Sequence, residues 1–452
     1  MPVMQGIPAN IANLFETGFL QRYLEDALQP GYQFRALAES EKWNAEVGQE
    51  LFITRKGLRN PAIRPLEPGQ DLPTSTFSTE QYVVSISQRG DSCDTDLLQA
   101  SISIKKFLDE ASGIVQGARW TIDRCVRNCL FQAYTSGDTN VTVASTSSTQ
   151  LSVASLGGFR QKLNTATGKL ADVSTSNALA VTVNGVANTV VGYAAADAAF
   201  PDGPGVLYLG TSISATLRWR VLAANRPYIV YPAGVTTGVD GISAGSVMTA
   251  SMINAAVKQL RNDRVPTMPD GYYHLKADPT TMQELLEDAN LRQLFQGVPD
   301  GDFKKGVISA MYGVKFFMVD DSISTENTSI TLVASGSSAF ASPEAGCDVI
   351  NATGIPIKRS VLVGGMAVRE YIYDEMALQR QMEGSPAGVQ TIGGQVPNLV
   401  GGCRYILRPP IDRKMQVAAQ SFTMTSGYVC PPDELAATSA SRQKRAVVFT
   451  HA

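Results

Sequence analysis

The feature that most constrains this chain is an apolar stripe between Asp94 and Tyr134. Its last eight members alternate steps of four and three residues, the spacing of one helix face, and the other face is charged. A helix over this range is about 60 Å long at roughly 1.5 Å per residue. No second helix of that length is predicted, and the remaining chain is rich in Gly, Ser, Thr and Val, so the helix is expected to brace a sheet. The stripe comprises Leu97, Ile104, Leu108, Ala111, Val115, Ala118, Ile122, Cys125 and Cys129, and the charged face comprises Lys105, Asp109, Glu110, Arg119, Asp123, Arg124 and Arg127.

Composition limits the classes of function. A chain of 452 residues suits two or three domains. It is 44% hydrophobic and only 17% charged, so much of its surface is expected to face other protein. The net charge of -3 and the pI near 5.6 argue against a dedicated nucleic-acid binder. Any contact with nucleic acid is expected to be weak and non-specific.

The lack of a secretory signal and the scattered cysteines predict a cytoplasmic protein. No secretory signal is recognisable. Residues 178–199 come nearest to a membrane span, but polar residues interrupt them and their alternation predicts strands. Six scattered cysteines do not form a disulfide framework. Cys125 and Cys129 are predicted to be buried thiols rather than half of a metal site.

The N-terminal third predicts an arm and a long hairpin. Residues 11–28 carry an apolar face at helical spacing, and residues 50–55 and 82–88 alternate as strands do. The intervening loop, Lys56 to Gln81, contains several prolines and mixed charge, so it is neither a tight turn nor a fully paired sheet. We expect this loop to lie on a neighbouring copy of the chain. The alternative is a mobile surface loop.

The sequence after the long helix predicts a β-rich insertion followed by a mixed α+β unit. The insertion begins with the charge-free residues 139–155, contains a hairpin signal at Asn184-Gly185, and ends near Ser246. A helix is then predicted up to Asn262, and a strand leads to Asp278 as N-cap and Pro279 as first helical residue. Further predicted elements are a helix continuing to residue 295 and strands at 312–320, 330–333, 361–373 and 414–424.

Motifs for catalysis are missing from the sequence. It contains no phosphate-binding loop, dinucleotide fingerprint, zinc-protease motif, paired-cysteine motif or nucleophile elbow. The only histidines are His274 and His451, which leaves little for triads or metal sites. His274 follows two tyrosines in a predicted strand and is interpreted as a partly buried structural side chain. We therefore predict no enzyme, no cofactor and no metal.

Four stretches resemble one family. The loop carries Leu66-Glu-Pro-Gly69 and Pro73, its return strand leads to Arg89-Gly90-Asp91 and Thr95-Asp96, and the long helix follows. Most specific is Gly271-Tyr-Tyr-His-Leu with Asp278-Pro279, followed by Tyr312-Gly-Val-Lys-Phe316. The order of these parts resembles the major capsid proteins of tailed bacteriophages, which have the Hong Kong ninety-seven fold, and most closely the N-four-like phage family. Residues 138–246 depart from that pattern.

The resemblance implies an α+β capsid fold with a lineage-specific β-rich insertion. Its parts are expected to be an N-terminal arm at 1–48, an extended loop at 49–93, the spine helix of a peripheral domain at 94–137, the insertion at 138–247, an axial domain at 248–340, and C-terminal strands completing both domains at 341–452.

The implied function is an icosahedral head shell that self-assembles from hexamers and pentamers around double-stranded DNA. Portal, scaffold and decoration proteins are the further implied partners, the virion is the implied location after assembly in the host cytoplasm, and no membrane is involved. Alternatives are an encapsulin-like compartment of the same fold and a β-rich fibre or adhesin subunit. The residues expected at contacts between subunits are Arg55, Lys56, Arg59, Arg64, Glu67 and Asp71 of the loop and Asp109, Glu110 and Arg124 of the helix.

Overall fold

The computed structural model describes most of the chain: residues 22–24, 33–43, 48–56, 71, 79–96, 104–164, 167–198, 201–291, 310–323, 350–351, 353–373, 394–399, 403–408, 416–433 and 441–452. It divides into two compact units. Unit 1 takes its residues from 1–51, 83–127 and 368–429, and unit 2 from 52–82, 128–367 and 430–452. Both helices and strands contribute to the core, so the predicted α+β class is confirmed.

The elements preceding the insertion are four strands and the long helix: β1 (Ala38–Trp43), β2 (Glu50–Lys56), β3 (Thr79–Ser85), β4 (Ser87–Asp96) and α1 (Ile104–Tyr134). The predicted start of the helix at Asp94 is wrong, because residues 94–96 end β4, which pairs with a later strand over ten residues. Backbone groups committed to that ladder are not free for helical hydrogen bonds. Strand β1 was not predicted, and most of the predicted arm helix lies outside the described residues, apart from helical residues 22–24.

The described residues of the insertion up to Ala223 form eight strands: β5 (Asp138–Asn140), β6 (Ser145–Val153), β7 (Gln161–Asn164), β8 (Lys169–Asp172), β9 (Leu179–Val183), β10 (Val186–Ala195), β11 (Gly205–Ala215) and β12 (Arg220–Ala223). Six of them form one sheet in the order β5-β12-β9-β10-β11-β6 over a core of their own. The hairpin at Asn184-Gly185 is confirmed, with both residues at positive φ as a tight turn requires. The short hairpin β7–β8 is not part of this sheet, because β8 pairs with β3.

The rest of the chain forms β13 (Ile229–Val230), α2 (Ala250–Asn262), β14 (Tyr273–Ala277), α3 (Pro279–Glu287), β15 (Ala310–Met311), β16 (Val314–Met318), β17 (Lys358–Val363), β18 (Val368–Tyr373), β19 (Gly394–Leu399), β20 (Cys403–Arg408), β21 (Val417–Val429) and β22 (Ala446–His451). The predicted cap is confirmed, since the Asp278 side chain accepts from the Thr281 N–H. Helix α3 ends at Glu287; residues 289–291 are helical again, and residues 292–295 of the predicted helix lie outside the described residues. The predicted strand at 330–333 lies outside the described residues.

Unit 1 contains a sheet and, packed on it, the part of α1 up to Arg127. The sheet order is β1-β18-β21-β20-β19, with β4 also on β21. Phe107, Ala111, Val115, Ala118 and Ile122 of α1 pack on apolar side chains of β20 and β21. The predicted packing of this helix on a sheet is confirmed. At roughly 1.5–3 kcal/mol for each large apolar side chain, this burial is the main support of the helix.

Two features of α1 differ from the prediction. Cys125 and Cys129 are only half-buried, because the buried face continues through Val126 and Leu130 at steps of four residues. Asp123, assigned to the charged face, is buried. Its carboxylate accepts the backbone N–H groups of residues 33, 34 and 35 at 3.0, 2.8 and 2.9 Å. Arg127 is buried as well.

Unit 2 contains a second mixed sheet, in the order β13-β22-β17-β14-β16-β15. Helix α2 buries its apolar face against β14, β16, β17 and β22. Strand β13 pairs with β22, so the chain has already left the insertion sheet by Ile229. That sheet ends at Ala223, earlier than the predicted boundary near residue 246.

Candidate assembly surfaces

The outer face of α1 carries an exposed tryptophan. Asp109, Gly113, Gln116 and Trp120 are all exposed and follow at steps of four, three and four residues, so they form one stripe along the helix. The Trp120 side chain is 59% exposed. A large aromatic ring in this position is typical of a contact with another protein, where tryptophan supplies much of the binding energy.

Two glycines lie beside that tryptophan on the helix. A Cβ atom added to Gly113 or Gly117 would have no neighbour within 4 Å among the residues that the structure describes. A glycine inside a helix costs roughly 1 kcal/mol relative to alanine. Packing among the described residues therefore gives no reason for either glycine. A bare helix backbone next to an exposed aromatic ring offers a neighbouring chain a close approach.

The predicted contact residues of α1 have different environments. Asp109 lies on the exposed stripe. Glu110 is half-buried, and its Oε2 atom is buried without a hydrogen-bond partner among the described residues. It lies near Tyr405, whose pKa is raised chiefly by burial and also by the Glu110 charge. Arg124 is half-buried and interacts within its own chain.

The first strand of the hairpin is held at its end by an ion pair. Arg55 Nη1 lies 2.7 Å from Asp433 Oδ1 and donates to the Pro432 carbonyl at 3.0 Å. Asp433 also binds Arg445 at 2.6 Å. All four residues belong to unit 2. Arg55, which the sequence assigned to a contact between subunits, therefore has partners in its own chain.

Of the other loop residues in the predicted contact set, the structure describes two. Lys56 and Asp71 are exposed, and each interacts within the chain. Arg59, Arg64 and Glu67 lie outside the described residues. The contacts of this set between subunits therefore stay a prediction.

The second strand of the hairpin pairs with the insertion. The sheet order β2-β3-β8-β7 joins the loop strands to the short hairpin of the insertion. The Gln81 N–H donates to the Gly168 carbonyl at 2.9 Å, and the Gln81 side chain donates to Thr54 Oγ1 at 2.9 Å. Gly168 has a φ of +67°, and a Cβ atom there would clash with the Thr79 carbonyl oxygen. Only glycine fits this position without a shift of the backbone.

Sequence reasoning missed Trp120 and Gly168. An aromatic residue off the apolar stripe of an amphipathic helix was the available signal for Trp120. Nothing in the local sequence around Gly168 indicates that its turn meets a strand about ninety positions earlier.

The two histidines occupy structural environments. His274 Nε2 lies 2.8 Å from Asp270 Oδ2, and this hydrogen bond is the main cause of the lowered pKa of Asp270. His451 is fully buried beside Thr281 and Glu284. In the part of the chain that the structure describes, no three His, Cys, Asp or Glu residues are grouped to hold a metal ion. None of the described helices is long and apolar enough to cross a membrane.

The fold of this chain is similar to solved structures of phage capsids. No protein-family profile and no curated protein sequence matches the chain. The capsid structure of the cyanophage P-SCSP1u aligns over 92% of this chain and 86% of its own, at 10% identity and a TM-score of 0.47. The cyanophage Pam1 capsid asymmetric unit aligns over 94% and 92%, at 11% identity and 0.46. The capsid of Ralstonia phage GP4 aligns over 93% and 88%, at 12% identity and 0.42.

Proposed function

We propose that this chain is the major capsid protein of a tailed bacteriophage, of the Hong Kong ninety-seven fold, whose copies self-assemble into an icosahedral head around double-stranded DNA. The order of its elements carries the proposal. A long hairpin leads to strand β4 and the long helix α1, a β-rich insertion follows, and the strand β14, helix α3 and strand β16 come next. This is the order that the sequence resemblance implies for such a protein.

The outer stripe of α1 is the proposed docking surface for a neighbouring copy. Trp120 supplies a large apolar contact, and the open backbone at Gly113 and Gly117 lets a second chain approach closely. Because identical contacts repeat around a closed symmetric shell, modest interfaces add up to a stable particle. The extended loop of the adjacent subunit is the proposed occupant.

Charged residues set the register of that contact. In this proposal Lys56, Arg59, Arg64, Glu67 and Asp71 of one copy face the α1 surface of the next, which carries Asp109 and Arg124. Exposed ion pairs contribute only about 0–1 kcal/mol each, so they select the register more than they add strength. Arg55 instead anchors the loop to its own subunit through Asp433. The inward position of Glu110 favours a role within the subunit.

The insertion acts as a brace for the extended loop. Its hairpin β7–β8 continues the loop strands into a four-stranded sheet, and the Gln81–Gly168 hydrogen bond lies at the junction. A loop that must reach a neighbour gains affinity when its direction is already set, because less conformational entropy is lost on binding.

Further partners follow from the proposed shell. Portal and scaffold proteins, and decoration proteins on the outside, are the expected protein partners, with assembly in the host cytoplasm and the virion as final location. The net charge of -3 fits weak, non-specific contact with DNA.

Electron microscopy and sedimentation of the purified chain test the proposal. Closed particles of uniform size are expected. Trp120→Asp should abolish them, whereas the control Gln116→Asp, which adds the same charge at an exposed polar position of that stripe, should assemble. Fibres would favour the fibre-subunit alternative, and closed particles filled with a protein cargo instead of DNA would favour the compartment alternative.

A further inference from the structure

One pair of cysteine thiols is placed for cross-linking. The Cys129 and Cys430 Sγ atoms lie 3.8 Å apart, and the Cys430 thiol also points to the Cys129 carbonyl oxygen at 3.6 Å. Cys129 lies in the last turns of α1, and Cys430 directly follows β21. The two residues are separated by 301 positions in sequence, and both belong to unit 2. The fold therefore brings together two thiols that sequence spacing does not connect.

We propose that Cys129 and Cys430 form an intrachain disulfide when the protein meets an oxidising environment. A disulfide requires an Sγ–Sγ distance of about 2.05 Å, so the sulfur atoms must approach by somewhat less than 2 Å. Rotation about the Cα–Cβ bonds and a small backbone adjustment can supply such a movement. The cross-link would tie the C-terminal end of α1 to the segment that follows β21.

The exposure of the two thiols determines the order of the chemical steps. Cys129 is half-buried and accessible to a small oxidant, whereas Cys430 is buried. With oxidised glutathione, the Cys129 thiolate attacks one sulfur atom and releases one glutathione thiolate. Cys430 then loses its proton, attacks the Cys129 sulfur of the mixed disulfide and releases the second glutathione thiolate. The protein loses two protons and two electrons, and one oxidised glutathione accepts them to become two reduced molecules.

The second step is expected to be the slow one. Burial raises the pKa of the Cys430 thiol, so little thiolate is present at neutral pH. The rate of ring closure should therefore increase as the pH rises. The reducing host cytoplasm would keep both thiols free during synthesis, and the disulfide would form after release of the particle. This timing rests on the proposed function, but the chemistry does not.

The neighbouring cysteines provide matched controls. Cys125 lies one turn earlier on the same helix and is also half-buried, Cys93 is exposed and Cys403 is buried in unit 1. The sixth cysteine, Cys347, lies outside the described residues. Cys125→Ser and Cys129→Ser thus make the same chemical change at two similar positions, only one of which has the Cys430 thiol as neighbour in this fold.

The experiment treats the folded full-length chain with oxidised glutathione, blocks free thiols and maps the peptides by mass spectrometry. The Cys129 and Cys430 peptides should be linked in the unchanged protein and in Cys125→Ser, but not in Cys129→Ser. On a non-reducing gel the linked chain should migrate faster, and its Tm should rise by several degrees until a reductant is added. Circular dichroism of Cys129→Ser checks that the variant folds.

Two results would overturn the proposal. One is a Cys129 that keeps glutathione while Cys430 stays free at raised pH. The other is a Cys129 linked to Cys125 or Cys347 instead. Because these measurements need no shell, a subunit that cross-links but does not assemble would contradict the proposed function alone.

Discussion

The inner face of α1 and the extended hairpin β2–β3 are held in place by different forces. The helix buries a row of apolar side chains against its sheet, each worth roughly 1.5–3 kcal/mol. In the hairpin, β3 buries Tyr82 and Val84, but the described contacts at the loop-side ends of its strands are polar: the Arg55–Asp433 ion pair and the Gln81–Gly168 hydrogen bond. Such contacts contribute on the order of 0.5–1.5 kcal/mol each. Damage to the helix should therefore unfold the subunit, and damage to the hairpin should change mainly where the loop points.

The largest effect is expected from Ile122→Asp. Ile122 is fully buried, so the substitution places an unpaired charge in the core at a cost of several kcal/mol. The subunit should unfold or aggregate, as measured by thermal melting with circular dichroism. Trp120→Asp, two residues away on the exposed face, should melt within a few degrees of the unchanged protein. Equal melting temperatures for both variants would show that the two faces of α1 do not differ as described.

Removal of residues 59–71 with a short glycine closure tests the hairpin. We expect the helical signal and the melting curve to stay close to those of the intact subunit, because a projecting loop buries little of its own chain. Assembly should fail, and sedimentation should find monomers or small oligomers. Closed shells of normal size from this variant would contradict the proposed role of the loop, even if the fold is right.

Alanine substitutions in two hairpin turns of the insertion test whether the insertion supports the loop strands. Gly168 and Gly185 both have positive φ, so alanine at either costs about 1–2 kcal/mol in backbone strain. Only at Gly168 does the new Cβ atom meet another strand, at the Thr79 carbonyl, whereas Gly185 has open space. Gly168→Ala should therefore also speed hydrogen exchange at the Gln81 amide and impair assembly. The same exchange rate in both variants would argue against the brace.

Protonation of His451, which belongs to unit 2, is expected to have the smallest effect. Burial is the main cause of the lowered pKa of His451, although Glu284 and Asp278 raise it, and Lys358 lowers it further. Because the folded-state pKa lies below the unfolded value of about 6.5, the unfolded chain binds the proton more strongly. Stability should be full above that value and decrease as the pH falls towards the folded-state pKa. His451→Gln should flatten this part of the profile of unfolding free energy against pH, and an unchanged slope would exclude His451 as its source.

Local sequence patterns were sufficient to predict an element where the residues that determine it lie in one short segment. The stepping of Ala111, Val115, Ala118 and Ile122 predicted a buried helix face, Asn184-Gly185 predicted a tight hairpin, and Asp278-Pro279 predicted a capped helix start. In each case the physical cause lies within a few residues: helical periodicity, positive φ, or a side chain that accepts a nearby N–H group.

Contacts between residues far apart in sequence determined the structure at two positions where local patterns failed. The predicted helix begins at Asp94, yet residues 94–96 form the end of β4, because β21 offers them a ladder. Asp123 has the charge of a surface residue, but three backbone N–H groups from residues 33–35 make its burial favourable.

Sequence alone was enough to predict the mixed α+β class, the buried face of the long helix, the Asn184-Gly185 hairpin and the capped start of α3, because periodicity, turn chemistry and capping are local properties. Only the tertiary structure decided that Arg55 binds Asp433, that Gly168 supports the loop strand, that Trp120 faces solvent and that Cys129 meets Cys430. Each of these depends on the position of a residue far away in the chain. Such positions follow from the packing of all the elements together, which no single window of sequence contains.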